Sequence, residues 1–152
     1  MSHEAAVRGV AVHGDEPSVP AVVLEVRDSL VPIFVSPDQA RSIQLALDGE
    51  PFERPLTHDL VVDMVAEFGG AIDRVRVDDV RDGTFFAKID GEQYRNGEPR
   101  ELVFDARPSD AIALAIRFDC PIEVADEVID RAGYPADQLD IYEVDEEDDL
   151  DW

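Results

Sequence analysis

The chain has 152 residues, 45% hydrophobic and 32% charged, a size and balance that suit one globular domain able to bury a core without staples. Its single cysteine, Cys120, excludes an internal disulfide and a thiolate metal cluster; no apolar run approaches the roughly 20 residues of a membrane span, and MSHEAAVRGV lacks the basic-then-apolar order of a signal peptide, so a soluble cytoplasmic protein is expected. Thirty-six acids against 13 bases give a formal charge of −23, which argues against a basic groove with interleaved aromatics for nucleic acid.

Residues 4–12 and 19–27 carry apolar residues at strand spacing (Val7, Val10, Val12; Val22, Val23, Leu24, Val26), separated by the turn-rich HGDEPS. DSLVPIFVS predicts a third strand, with Pro32 marking an edge or a strand start. SPDQARSIQLALDG then opens a helix with Ser36 as N-cap, Pro37 at the first helical position and Gln39 completing a capping box. Ala40, Ile43 and Leu47 form its expected buried face, and Gly49 ends it. In LTHDL, Thr57 reads as the cap of a second helix, with Leu56 and Val61 at the staple positions. Its stripe is Leu60, Val61, Met64, Val65 and Phe68, stopped by Gly69-Gly70.

AIDRVRVDDV alternates as a strand, Asp82-Gly83 turns it, and TFFAKI returns. After a loop expected at EQYRNGEP, ELVFDA is a strand running into a third helix from near Pro108 to about Phe118. PIEV, DEVIDRAG and LDIYEV predict a short strand, a short helix and a last strand before an acidic end. The class is α+β: a mostly antiparallel, mixed sheet packed with three to four helices in one domain, 1–136, followed by an acidic tail, 137–152.

Two stretches could carry chemistry. In RPLTHDL, His58 and Asp59 fall in the first turn of a helix, where free N–H groups and the dipole favour an anion. Asp59 can serve the dipole alone, or His58 can handle a proton while Asp59 orients it or binds a metal. In DARPSD, Pro108, Ser109 and Asp110 are all explained by helix initiation; Asp105 and Arg107 are not. An Asp105–Arg107 or Asp110–Arg107 ion pair is one account. The other is a carboxylate pair, Asp105 and Asp110, holding Mg²⁺ or Mn²⁺ against a phosphodiester steadied by Arg107. Gly-rich phosphate loops, HExxH and GxSxG are absent.

The acidity is not confined to the end. Residues 137–152 hold nine acids and no base, and without them 27 acids still face 13 bases. Lys88 is the only lysine. Short carboxylates and arginines suit a surface kept soluble in concentrated salt, where the Debye length is about 3 Å at 1 M. A halophile's protein is the expectation; an ordinary acidic protein with an interaction tail is the alternative.

In order, VPIFVSPDQARSIQLALDG, RPLTHDLVVDMVAEFGG, DDVRDGTFFAKI and DARPSDAIALAIRFDCPIEV resemble the bifunctional nuclease family over roughly residues 5–132. The resemblance implies a compact α+β domain, degradation of DNA and RNA with a divalent metal, and assembly into homodimers or larger homo-oligomers. Matching positions are Arg54, Thr57, His58 and Asp59; Asp82, Gly83 and Thr84; and Asp105, Arg107, Ser109 and Asp110. The resemblance does not assign roles among them; the site expected here has His58, Asp59 and Arg107 as catalytic residues, Arg54, Thr57 and Ser109 contacting substrate, and Asp105 and Asp110 on Mg²⁺ or Mn²⁺. A non-enzymatic oligomeric binding or regulatory domain, in which these motifs only shape the fold, is the alternative.

Overall fold

The structure, a computed structural model, describes residues 1–13, 16–49, 55–135 and 142–143. Strands β1 (Ser2–His13), β2 (Glu16–Val26) and β3 (Ser29–Phe34) lead to helices α1 (Pro37–Asp48) and α2 (Thr57–Glu67). Strands β4 (Gly70–Arg81), β5 (Thr84–Arg95) and β6 (Glu98–Ala106) then precede α3 (Pro108–Phe118), β7 (Ile122–Ala125) and α4 (Asp126–Ala132). The short β8 (Tyr134–Pro135) and β9 (Tyr142–Glu143) complete the described elements. All nine strands join one sheet in the order β6-β5-β4-β7-β1-β2-β3-β8, with β9 beside β1. Every pairing is antiparallel except β4 with β7. The class is therefore α+β with a mixed sheet, as the pattern of elements predicts.

Period-2 alternation decides which face the helices cover. Val75 and Val77 on β4, Ala87 and Ile89 on β5, and Ile122 and Val124 on β7 are buried in the main core, together with Ile43 of α1 and Ile112 of α3. The intervening residues carry charge. Asp90 receives Arg74 Nε at 2.6 Å and both Nε and Nη2 of Arg76 at 2.7 Å, while Arg74 also reaches Glu123 at 3.2 Å. Lys88 pairs with Asp105 at 3.1 Å. Cross-strand ion pairs of this kind let one sheet face water. No helix among the described residues is long and apolar enough to cross a membrane.

Local chemistry explains most boundaries. Ser36 Oγ accepts from the Gln39 amide while the Gln39 side chain accepts from the Ser36 amide, the reciprocal box expected for α1. Asp82-Gly83 has φ of 52° and 78°, so both turn residues adopt the left-handed region that a two-residue hairpin requires. Asn96-Gly97, with φ of 56° and 80°, does the same. That corrects the loop expected at EQYRNGEP: β5 continues to Arg95, and β6 starts at Glu98.

Three helix expectations also change. Leu47 is exposed, and Ser42 takes a buried place on α1 beside Ala40 and Ile43. Thr57 is the first residue of α2, not its cap; Leu56 precedes the helix, and its amide donates to the Asp59 carboxylate. The α2 stripe buries none of its residues: Val61 and Val62 lean on the core, but Leu60, Met64 and Phe68 stand out in solvent. The acidic tail falls outside the described residues except for Tyr142–Glu143.

Candidate active site

α1, α2 and α3 meet at a polar cluster. The capping chemistry of LTHDL sets His58 in the first turn of α2, and the proline-led start of RPSD sets Asp110 in the first turn of α3. The His58 Nε2 to Asp110 Oδ1 distance is 2.9 Å. On its other side His58 Nδ1 lies 2.7 Å from Ser42 Oγ of α1. The second carboxylate oxygen of Asp110 accepts from Arg107 Nε at 2.9 Å. Arg107 has the side-chain exposure of a surface group, 70%, whereas His58 has 16%.

Beneath this row lies Arg117, nearly buried, from the last turn of α3. It donates to Asp59 Oδ1 at 2.7 Å, to the Ala113 carbonyl at 3.0 Å, and to both the carbonyl and Oγ of Ser42 at 3.3 Å. Arginine is suited to this post because its planar fork serves several acceptors at once and stays charged. Ser42, His58, Asp59, Asp110 and Arg117 thus tie three helices together in one hydrogen-bonded network.

Both aspartates stay ionised. Burial pushes the Asp110 carboxyl up, but the hydrogen bonds from His58 and Arg107 outweigh it and hold it below the usual carboxylate range. Burial likewise raises Asp59, and the Arg117 hydrogen bond with that of the Leu56 amide more than reverses it. An ionised Asp110 accepts, so the neutral imidazole carries its proton on Nε2 and turns the Nδ1 lone pair to the Ser42 hydroxyl. Protonated, His58 donates from both nitrogens, and Ser42 changes from donor to acceptor.

The structure gathers some of the residues singled out in the sequence and separates others. His58, Asp110 and Arg107 stand in direct contact, and Asp59 joins them through Arg117 and Ser42. Thr57 is exposed one residue before His58. Ser109 is buried within the α3 packing, which takes it away from the surface a substrate would meet. Arg54 lies outside the described residues. Asp82 lies in the β4–β5 hairpin turn, and Thr84 is the first residue after it.

Asp105 and Asp110 do not form a pair. Asp105 is still in strand geometry, opposite Lys88, so alternation sends it to the helix-free face. Asp110 has both oxygens committed to His58 and Arg107. Among the described residues, no group of three or more His, Cys, Asp or Glu side chains is placed to hold a metal ion. As arranged, these donors do not fit Mg²⁺ or Mn²⁺.

Ser42 and Arg117 are the participants that residue patterns miss. Each sits in an apolar helical run, SIQLAL and AIALAIRF, where it reads as solvent-facing. A signal is nonetheless present: both are polar residues on helices whose buried positions are mostly apolar, and a buried polar group needs partners.

The family model for the bifunctional nuclease domain matches residues 22–137. An uncharacterized protein of Mycobacterium tuberculosis is 35% identical over 130 residues, covering 84% of this chain and 75% of that protein. Bifunctional nuclease 1 of Arabidopsis thaliana is 34% identical over 109 residues, 69% of this chain and 33% of the plant protein. Bifunctional nuclease 2 of Oryza sativa subsp. japonica is 30% identical over 109 residues, with the same two shares. This chain spans about a third of each plant relative.

Proposed function

The chain belongs to the bifunctional nuclease domain family, and from that premise we propose that it hydrolyses phosphodiester bonds of DNA and RNA, working as a homo-oligomer in a salt-rich cytoplasm. The observation that carries the reading is the sharing of Asp110 between His58 and Arg107. It sets an exposed, permanently charged fork beside an imidazole held at both nitrogens. Arg107 binds a phosphate oxygen bidentately, exchanging its contact to Asp110 for one to substrate. Asp110 keeps its hold on His58 and fixes the ring. Water attacks phosphorus as one ester P–O bond breaks; His58, letting go of the buried Ser42, takes the water's proton at Nδ1 and returns it to the leaving ester oxygen. Arg117 positions Ser42 and Asp59 and meets no substrate.

A surface at −23 repels nucleic acid in dilute buffer. Concentrated salt screens that repulsion, and it also weakens cationic clamps, with a log–log slope near −0.9 per phosphate neutralised. One or two arginines acting over short range fit those conditions better than a broad basic groove.

The test is cleavage of labelled single-stranded DNA and RNA by purified protein in molar KCl. Arg107→Ala should lower the rate about 10- to 100-fold, the worth of one charge-assisted phosphate contact, while lowering stability by no more than about 1 kcal/mol. Undiminished cutting in that variant refutes the assignment. Adding Mg²⁺ or Mn²⁺, or a chelator, tests whether a cation joins the carboxylates. A second reading, a non-enzymatic binding domain, draws on the internal saturation of Asp59 and Asp110. It requires wild-type protein to cut no substrate under any of these conditions.

A further inference from the structure

Helix α2 and strand β6 leave apolar surface uncovered on one side of the molecule. Phe68 is 69% exposed and Val103 61%, with Met64 and Phe104 about half exposed beside them. Between α2 and strands β4–β6 runs a cleft of about 310 Å³ whose lining, apart from Glu92 and Gln93, is apolar or glycine. β6 is also the edge of the sheet among the described residues.

Edges are normally blunted by charged side chains, proline, bulges or short length. β6 carries Pro99 and the charged Glu98, Arg100, Glu101 and Asp105, but it has no bulge and is not short. It is nine residues long and contains no lysine, and it pairs with β5 without interruption from Arg95↔Glu98 to Ala87↔Ala106. Its one proline, Pro99, stands second in the strand and leaves the seven residues after it able to pair. By contrast, β4–β5 and β1–β2 are each broken twice. Apolar side chains stand on both faces of β6, Phe104 toward the helices and Val103 away from them. That two-faced apolar stretch, Leu102–Phe104, lies at the centre of the strand, between charged ends.

We propose that this side is a homodimer contact, in which β6 pairs antiparallel with β6 of a second copy about a two-fold axis and α2 packs beside it; the contact rests on the homo-oligomer of the reading above and gives it a surface. The charge pattern of the strand selects the partner. Pairing all nine residues puts Leu102 on the axis, Arg100 opposite the partner's Phe104, and Glu101 opposite the partner's Val103. No carboxylate then faces a carboxylate. Moving the axis to Val103 sets Glu101 against the partner's Asp105, and moving it to Glu101 sets that residue against itself; like charges directly opposite destabilise a pair. Full overlap is therefore free of the acid–acid contacts that a shift of the axis by one residue in either direction introduces.

Other occupants fit less well. Arg100 is the only lysine or arginine in α2 and β6, too few cations for nucleic acid. A small apolar ligand in the cleft would leave Val103 and the outer edge of β6 in water. Asp63 and Glu67 flank the α2 stripe, so association strengthens as salt screens them.

Sedimentation velocity of the full chain in molar KCl tests this contact independently of cleavage. Wild-type protein should sediment at twice the 16.8 kDa chain mass, with the dimer weakening in dilute salt. Phe104→Arg, at a half-exposed site that leaves the fold intact by circular dichroism, should sediment as a monomer. Leu102→Cys should crosslink through a short thiol-reactive bridge, and Tyr94→Cys, far from the axis, should not. Wild-type protein that stays monomeric overturns the proposal, whether the cleft is empty or carries a co-purifying apolar ligand. So does a dimer that survives Phe104→Arg, or one in which only Tyr94→Cys crosslinks.

Discussion

Replacing Arg117 by alanine removes four hydrogen bonds from the junction of α1, α2 and α3. Breaking a buried ion pair by deleting one partner costs about 3–5 kcal/mol, because the other charge is left uncompensated. Asp59 is 40% exposed and can recover water, which trims that figure; the Ser42 carbonyl regains less. The expected loss is about 2–3 kcal/mol, or about 5–10 °C in Tm for a chain this long. Arg107→Ala is the internal comparison, since it deletes a largely exposed arginine of the same network and should cost no more than about 1 kcal/mol. Arg117→Lys keeps the charge but cannot serve Asp59, Ala113 and Ser42 together, so it should recover no more than about half of the loss. Thermal unfolding followed by far-ultraviolet circular dichroism in molar KCl reads all three. Equal melting temperatures for Arg117→Ala and Arg107→Ala would refute the claim that this network holds the helices.

Other outcomes follow from the same contacts. His58→Ala should abolish cleavage and also lower stability by about 1–2 kcal/mol, since Ser42 and Asp110 each lose a partner; the drop in rate should far exceed anything explained by unfolding at the assay temperature. Acid should destabilise the fold through Asp59, Asp90 and Asp110, whose carboxyls are all held below their ordinary value. Each binds its proton more weakly when folded than when unfolded, so their contribution is complete above the unfolded value, about pH 4, and is lost as pH falls through the lower folded values. Urea midpoints measured between pH 6 and pH 2 should fall only in the acid part of that range, and a flat profile there would contradict the ion-pair assignments. Gly91→Ala should cost about 1–3 kcal/mol by overpacking, because a Cβ at that buried position would meet the Ala71 carbonyl oxygen at 2.9 Å. Unfolding titrated against KCl should show stability rising steeply with salt; a protein fully stable in dilute buffer would not be salt-adapted.

Legibility in the sequence tracks how local the causes are. The Ser36–Gln39 box, the Asp82-Gly83 turn and the Pro108 helix start are each fixed by residues within one turn of one another, and all stand where the pattern places them. Asn96-Gly97 is as local but lies in a polar stretch, QYRNGEPR, that hides two strand ends. The α2 stripe is plainly apolar in the sequence, yet apolarity does not say what covers it, and the fold leaves Phe68 and Met64 outside. The candidate site divides along the same line. His58 and Asp110 announce themselves as helix starters, but their contact spans 52 positions and depends on α3 crossing α2. Asp105 escapes the pairing that spacing suggests because a count of five residues to Asp110 ignores that the first of them still obeys strand alternation.

A consequence of this layout links the site to the proposed contact. α2 buries no residue of its own, so its position rests on Val61 and Val62 leaning on the core and on the two polar anchors at its first turn. Those anchors are His58 and Asp59, the residues that the nuclease reading employs. The C-terminal half of the same helix carries Met64 and leads to Phe68, which a second copy would cover. A dimer through β6 and α2 would hold the helix at both ends and keep the imidazole in register with Asp110. A free monomer would leave the far end unsupported, and a hinge at the first turn would then displace the very ring whose hydrogen bonds define the site.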